Sequence, residues 1–102
     1  MVPQPSSDPP ISFQSAKVLN AFIRDPSREL AGADLIVGAK VPSGTLYPIL
    51  LRFEDVGWLK SRWETGDASV KGRPLRKLYR ITGAGLAKAA EVRNEFLGRT
   101  VT

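Results

Sequence analysis

Apolar residues recur every three or four positions in four stretches of this chain and alternate with polar ones in two others. The two periods divide it into helices and strands. In the first stretch Phe13, Ala16, Leu19, Phe22 and Ile23 keep helical spacing; Ser12 can cap the start and Pro26 stops the end, which predicts a helix over 12–24. A second helix is predicted over 28–38, with Leu30, Ala31, Leu35 and Ile36 as its apolar face and Gly38 as its C-terminal cap. After a short turn from Ala39 to Pro42, with Lys40 exposed, Leu46, Ile49, Leu50 and Phe53 share one face of a third helix over 43–55, which Ser43 can cap. Pro48 lies in its early part, where a missing N–H costs least. At Gly57 the period changes. Leu59, Ser61 and Trp63 alternate with Trp58, Lys60, Arg62 and Glu64 in a strand over 58–64. Residues 65–74, with glycines at 66 and 72 and a proline, form a loop. Lys77, Tyr79 and Ile81 then alternate with Arg76, Leu78 and Arg80 in a second strand over 75–81. Thr82 caps a last helix over 83–97, whose Leu86, Ala89, Ala90, Arg93, Phe96 and Leu97 make a stripe at helical spacing.

Three helices with a tight turn before the third, followed by a hairpin, is the order of a helix-turn-helix with a β-wing. The expected fold class is therefore α+β, mainly α: a winged helix-turn-helix with a C-terminal dimerisation helix. Residues 1–11, which hold four prolines, read as a disordered or extended arm, 12–82 as the winged domain, and 83–102 as the dimerisation helix and tail. A domain of 102 residues does not easily cover both its first and last helices alone, so a two-fold homodimer is expected.

Charge sharpens the picture. Between Trp58 and Arg80 stand Lys60, Arg62, Lys71, Arg73, Arg76, Lys77 and Arg80 against Glu64 and Asp67, a surplus equal to the whole net charge of +5. The other residues balance, so the positive field comes from one hairpin, as expected of a surface that meets a polyanion. The chain has no cysteine and no histidine, which excludes disulfides, thiolate or imidazole metal sites and imidazole-based triads; neither an enzyme nor a cofactor is expected. With no secretory or membrane-spanning pattern, the expected setting is the cytoplasm, in association with the nucleoid. Tyr47 suits either the joint between the second and third helices or a DNA contact, and Arg52 either pairs with Glu54 or Asp55 or meets DNA. Trp58 and Trp63 are expected to pack within the wing. The same basic surface, with Leu51 and Trp58, would also serve a protein-interaction module with an acidic partner.

The run GTLYPIL followed by RFEDVGWL, then SRWE and GRPLRKLYRITGAG, resembles the PadR family of winged-helix transcription regulators, and the likeness extends from about residue 12 to the end. It resembles the shorter members, which lack a separate C-terminal domain. The resemblance implies a dimeric repressor whose third helices enter successive major grooves of a near-palindromic operator in double-stranded DNA. It implies contacts from Tyr47 and from Lys71 and Arg73 of the wing, and dimers that pair through the first and last helices. The DNA-facing set is then Ser43, Thr45, Tyr47, Pro48, Arg52, Lys71, Arg73, Arg76 and Lys77, and the dimer set Phe13, Leu86, Ala89, Ala90, Arg93, Phe96 and Leu97. Some members hold a small aromatic effector between subunits, using a tryptophan of the last helix; here that helix carries Phe96 as its one aromatic residue.

Overall fold

In a computed structural model, which describes residues 11–97, the chain forms α1 (Phe13–Ala21), β1 (Leu30–Ala31), α2 (Gly32–Ala39), α3 (Ser43–Asp55), β2 (Leu59–Trp63), α4 (Ala68–Lys71), β3 (Lys77–Ile81) and α5 (Gly83–Leu97). It is mainly helical, with one antiparallel sheet in the order β1-β3-β2. The arm and tail expected at the two ends lie outside the described residues, apart from Ile11.

The Ser12 hydroxyl caps α1 by accepting from the Ser15 N–H at 3.1 Å. The helix stops three residues short of its predicted end, because the Phe22 and Ile23 amides bond to the carbonyls of Leu19 and Asn20, three residues back, and tighten the last turn. That turn carries Phe22 into the core.

The second helix starts later than its apolar spacing predicts. Leu30 and Ala31 pair with Tyr79 and Leu78 as a third strand, not as a first helical turn. The helix then begins at Gly32, where the Asp34 carboxylate accepts the Ala31 N–H at 2.8 Å. Its C-cap is Lys40, with φ 55°, and not Gly38, which lies inside the helix. A non-glycine residue in this left-handed region costs roughly 1 kcal/mol. The Lys40 carbonyl accepts from the Lys17 ammonium at 3.1 Å.

Pro42 occupies the N-cap of α3 and its carbonyl accepts the Thr45 and Leu46 amides; Ser43 is the first helical residue and not the cap. Leu46, Ile49, Leu50 and Phe53 are all buried. They meet Val18, Leu19 and Phe22 of α1, Leu35 of α2, Leu59, Tyr79 and Ile81 of the sheet, and Ala89 and Val92 of α5 in one core. Trp58 belongs to that core as well, its ring 5.2 Å from that of Phe53.

The junction of α3, β2 and α5 is held by a short set of contacts. The Thr82 N–H donates to the Trp58 carbonyl at 3.0 Å and the Thr82 hydroxyl to the Gly57 carbonyl at 2.6 Å, while the same oxygen accepts the Gly85 N–H at 3.0 Å. Gly57, with φ 80°, makes the turn out of α3. Gly85 lies so close to the corner that a Cβ there would overlap the Trp58 carbonyl oxygen, a backbone atom that cannot yield. Gly85→Ala is therefore expected to destabilise the fold by about 2–3 kcal/mol, as overpacking does. Thermal denaturation should show a fall of roughly 10 °C or more for a domain of this size.

Candidate nucleic-acid interface

The face of α3 opposite the core presents Ser43, Gly44, Thr45, Tyr47, Pro48, Leu51 and Arg52 to solvent. It mixes hydroxyls, a phenol, apolar surface and one cation, with no carboxylate before the last turn. Pro48 offers no N–H to the helix ladder, but on the solvent side water can satisfy the carbonyl one turn back. Tyr47 lies at the joint between α2 and α3 and is also half open to solvent. It is 49% exposed, yet its ring lies against Gly32 at the start of α2, where a Cβ would overlap the phenol oxygen and ring. Gly32 thus leaves room for the inward orientation of Tyr47.

The register of the hairpin sets two faces. Leu59 opposite Ile81, Ser61 opposite Tyr79 and Trp63 opposite Lys77 form the inner row, while Lys60 opposite Arg80 and Arg62 opposite Leu78 form the outer row. The inner row leaves the core as it runs towards the wing: Leu59, Ile81 and Tyr79 are buried, whereas Trp63 is 63% exposed. Trp63 is therefore not the packing residue that its alternation suggests. Lys77 ties this row to α3, its ammonium 3.4 Å from the Glu54 carboxylate and 5.5 Å from the centre of the Tyr79 ring. The Glu54 contact is an ion pair without hydrogen-bond geometry. Burial pushes the Tyr79 phenol above its ordinary value, with smaller contributions from Glu54 and Tyr47.

Much of the hairpin's positive charge is engaged inside the protein. Both terminal Arg73 guanidinium nitrogens donate to Glu64, at 2.6 and 3.0 Å, in the paired geometry that suits a carboxylate. The Arg76 amide donates to the same carboxylate at 2.8 Å, and the Glu64 amide to the Arg76 carbonyl. The Arg73 side-chain bonds first, and then the Arg76 amide, hold the Glu64 carboxyl down at about 2. Arg62 grips Glu29 at 2.6 and 2.7 Å, which lowers the Glu29 carboxyl below its usual value. Of the wing cations expected at the interface, Arg73, Arg76 and Lys77 thus each have a carboxylate partner. Lys71 has none among the described residues.

Between the strands the chain forms a single helical turn, α4, where a loop is predicted. Asp67 caps it by accepting the Ser69 N–H at 2.8 Å, and Gly72 closes it with φ 71°. Lys71 ends that turn, its aliphatic stem passing Gly66.

Elsewhere on the surface, Phe13 is 67% exposed at the rim of a cleft of about 170 Å³ between α1 and α5. Arg93 lines it too, Ala90 is exposed and Leu86 is 36% exposed, while Ala89 lies in the protomer's own core beside Val92, a residue that the predicted stripe does not include. The side chains of Phe96 and Leu97 lie outside the described residues. No described helix is long and apolar enough to cross a membrane.

The folded-state pKa of Glu64 lies below its ordinary 4.5, so its contribution to stability is complete above about pH 4.5 and disappears as pH falls through about 2. Acid titration followed by tryptophan emission should therefore show a wing transition in this window that Glu64→Gln removes. Gly32→Ala should lower the melting temperature only slightly, since the overlap falls on the half-exposed Tyr47 ring, which can swing away. It should also push the Tyr47 ring outward, visible as a shift in the Tyr47 ring resonances.

The fold matches solved structures over most of its length. A PadR-like transcription factor from Bacteroides fragilis superposes with a TM-score of 0.65 at 26% identity, over 85% of this chain and 84% of that one. A PadR family transcriptional regulator from Eggerthella lenta gives 0.66 at 25% identity, over 85% and 78%. The protein smu.1704 from Streptococcus mutans gives 0.70 at 24% identity, over 87% and 80%, a likeness of fold alone. No curated protein matches the chain. The model of the transcriptional regulator PadR-like family matches residues 33–91, from α2 through the whole wing into α5. That is more than half of the chain, and the chain belongs to this family of transcriptional regulators, which are not enzymes.

Proposed function

We propose that the protein is a sequence-specific DNA-binding repressor in the cytoplasm, acting on nucleoid DNA as a homodimer at a near-palindromic operator. Membership of a transcriptional-regulator family supports DNA binding in general. The observation that carries the finer reading is the exposed face of α3, without an acidic residue from Ser43 to Arg52, on the side of the sheet to which Lys77 reaches. In this reading Thr45 and Tyr47 meet base edges, and Pro48 and Leu51 offer apolar contact to thymine methyl groups. Ser43 and Arg52 meet the backbone beside them. Lys71 supplies a free charge to a phosphate of the flanking backbone. Arg73, Arg76 and Lys77 hold the wing and bring positive potential to the same strand. The apolar cleft between α1 and α5, with Phe13 exposed at its rim, supports pairing of two protomers through these helices.

Selection of bound duplexes from a random pool at physiological salt should recover an inverted repeat with half-site centres about 34 Å apart. Lys71→Ala should weaken binding to all sequences alike and reduce the slope of log affinity against log salt by roughly 0.9 for each phosphate that the lysine no longer neutralises. Thr45→Ala should instead change the preferred sequence. A pool that returns no common sequence, or an unrepeated half-site, would reject the operator reading.

A further inference from the structure

Trp63 is the largest apolar side chain that the wing leaves in solvent, 63% exposed, whereas Trp58 is 5% exposed in the core. The register puts Trp63 opposite Lys77 on the inner row of the hairpin, and Lys77 reaches Glu54 on α3. The indole therefore stands on the side of the wing that looks towards α3, just beyond the last buried residues of that row. The backbone that carries it is tied on both sides. The Trp63 carbonyl lies 3.4 Å from an Arg62 guanidinium nitrogen whose group is gripped by Glu29, and the next residue, Glu64, is bonded to Arg73 and Arg76. A tryptophan side chain has two rotatable bonds and gives up little conformational entropy when covered, and its N–H remains available to an acceptor. With four of the seven hairpin cations already paired to Glu29, Glu54 and Glu64, the wing has less free charge than its sequence suggests.

We propose that Trp63 is a DNA contact of the wing: its ring lies against a deoxyribose or base edge beside the groove entered by α3, and its indole N–H donates to a backbone oxygen. This rests on the DNA-binding reading above. It adds a non-ionic contact to a surface that otherwise works by charge.

The test uses a duplex recovered from the random pool, labelled for anisotropy, with acrylamide quenching of tryptophan emission followed in the same titration. Trp58 is shielded, so the quenchable component belongs to Trp63. As anisotropy reports saturation, that component should become protected. Trp63→Ala should weaken binding roughly threefold to tenfold, as the apolar contact of the ring and its N–H bond are lost, with the salt slope unchanged. Trp63→Phe, which keeps a ring, should retain most of the affinity, and both variants should melt with the unmodified protein because the site is exposed. Saturated DNA with Trp63 still fully quenchable, or Trp63→Ala binding as tightly as the unmodified protein, would overturn the contact while leaving DNA binding intact. Protection that appears with rising protein concentration in the absence of DNA would assign the ring to contact between copies, and would likewise overturn it. Failure of the anisotropy to rise at all would reject the DNA-binding reading itself, and the Trp63 contact with it.

Discussion

The corner where α3 turns into β2 and meets the start of α5 is the constraint on which the other elements depend. Four groups define it: the carbonyls of Gly57 and Trp58, the hydroxyl of Thr82 and the bare Cα of Gly85. Because Trp58 is packed on Phe53 and buried, the corner is also the end of the core row of α3. The outward face of α3, the direction of the hairpin and the position of α5 are therefore set by the same few atoms. A winged helix needs such a corner, since the wing can share a surface with the third helix only if the strand leaves that helix at a fixed angle.

Beyond the corner the wing is shaped by electrostatics more than by burial. A hairpin with seven cations would repel itself, and an exposed pair of like charges such as Lys60 opposite Arg80 is unfavourable in a sheet. Three carboxylates relieve this, each placed differently. Glu64 lies within the wing and draws Arg73 and Arg76 together; Glu54 comes from α3 and Glu29 from the segment before β1. Exposed ion pairs of this kind add little to global stability. Their effect here is orientation: they decide which side chains remain available, and leave Lys60, Lys71 and Arg80 without a carboxylate partner among the described residues, beside the exposed indole of Trp63.

What could be read from the sequence and what could not divide along physical lines. The core row of α3, the two faces of the hairpin and the Thr82 cap are set by near neighbours, so spacing alone reveals them. The strand β1 is invisible to any period because it is two residues long and exists through pairing with Tyr79 and Leu78, far away in the chain. The grip of Arg62 on Glu29 spans 33 residues and has the same origin. The turn α4 did carry signals, Asp67 before it and Gly72 after it, but a single turn has no apolar stripe to connect them. The exposure of Trp63 shows a different limit: alternation tells on which side of a strand a residue lies, not how far along that side the core extends. As for the interface, residue type located the outward face of α3, whereas the division of the wing cations into paired and free required the fold.

The tight passage from strand to helix has a consequence for how the protein can vary. A single residue, Thr82, separates β3 from α5, so the rotational phase of the helix is inherited from the pleat of the strand. One residue inserted here would turn α5 by about 100°. Ala89 and Val92 would swing out of the interior and Lys88 and Glu91 would take their place. Length changes are thus tolerable in the hairpin, where the chain already doubles back in solvent, and not at this joint, which acts as a gear between the two ends of the molecule.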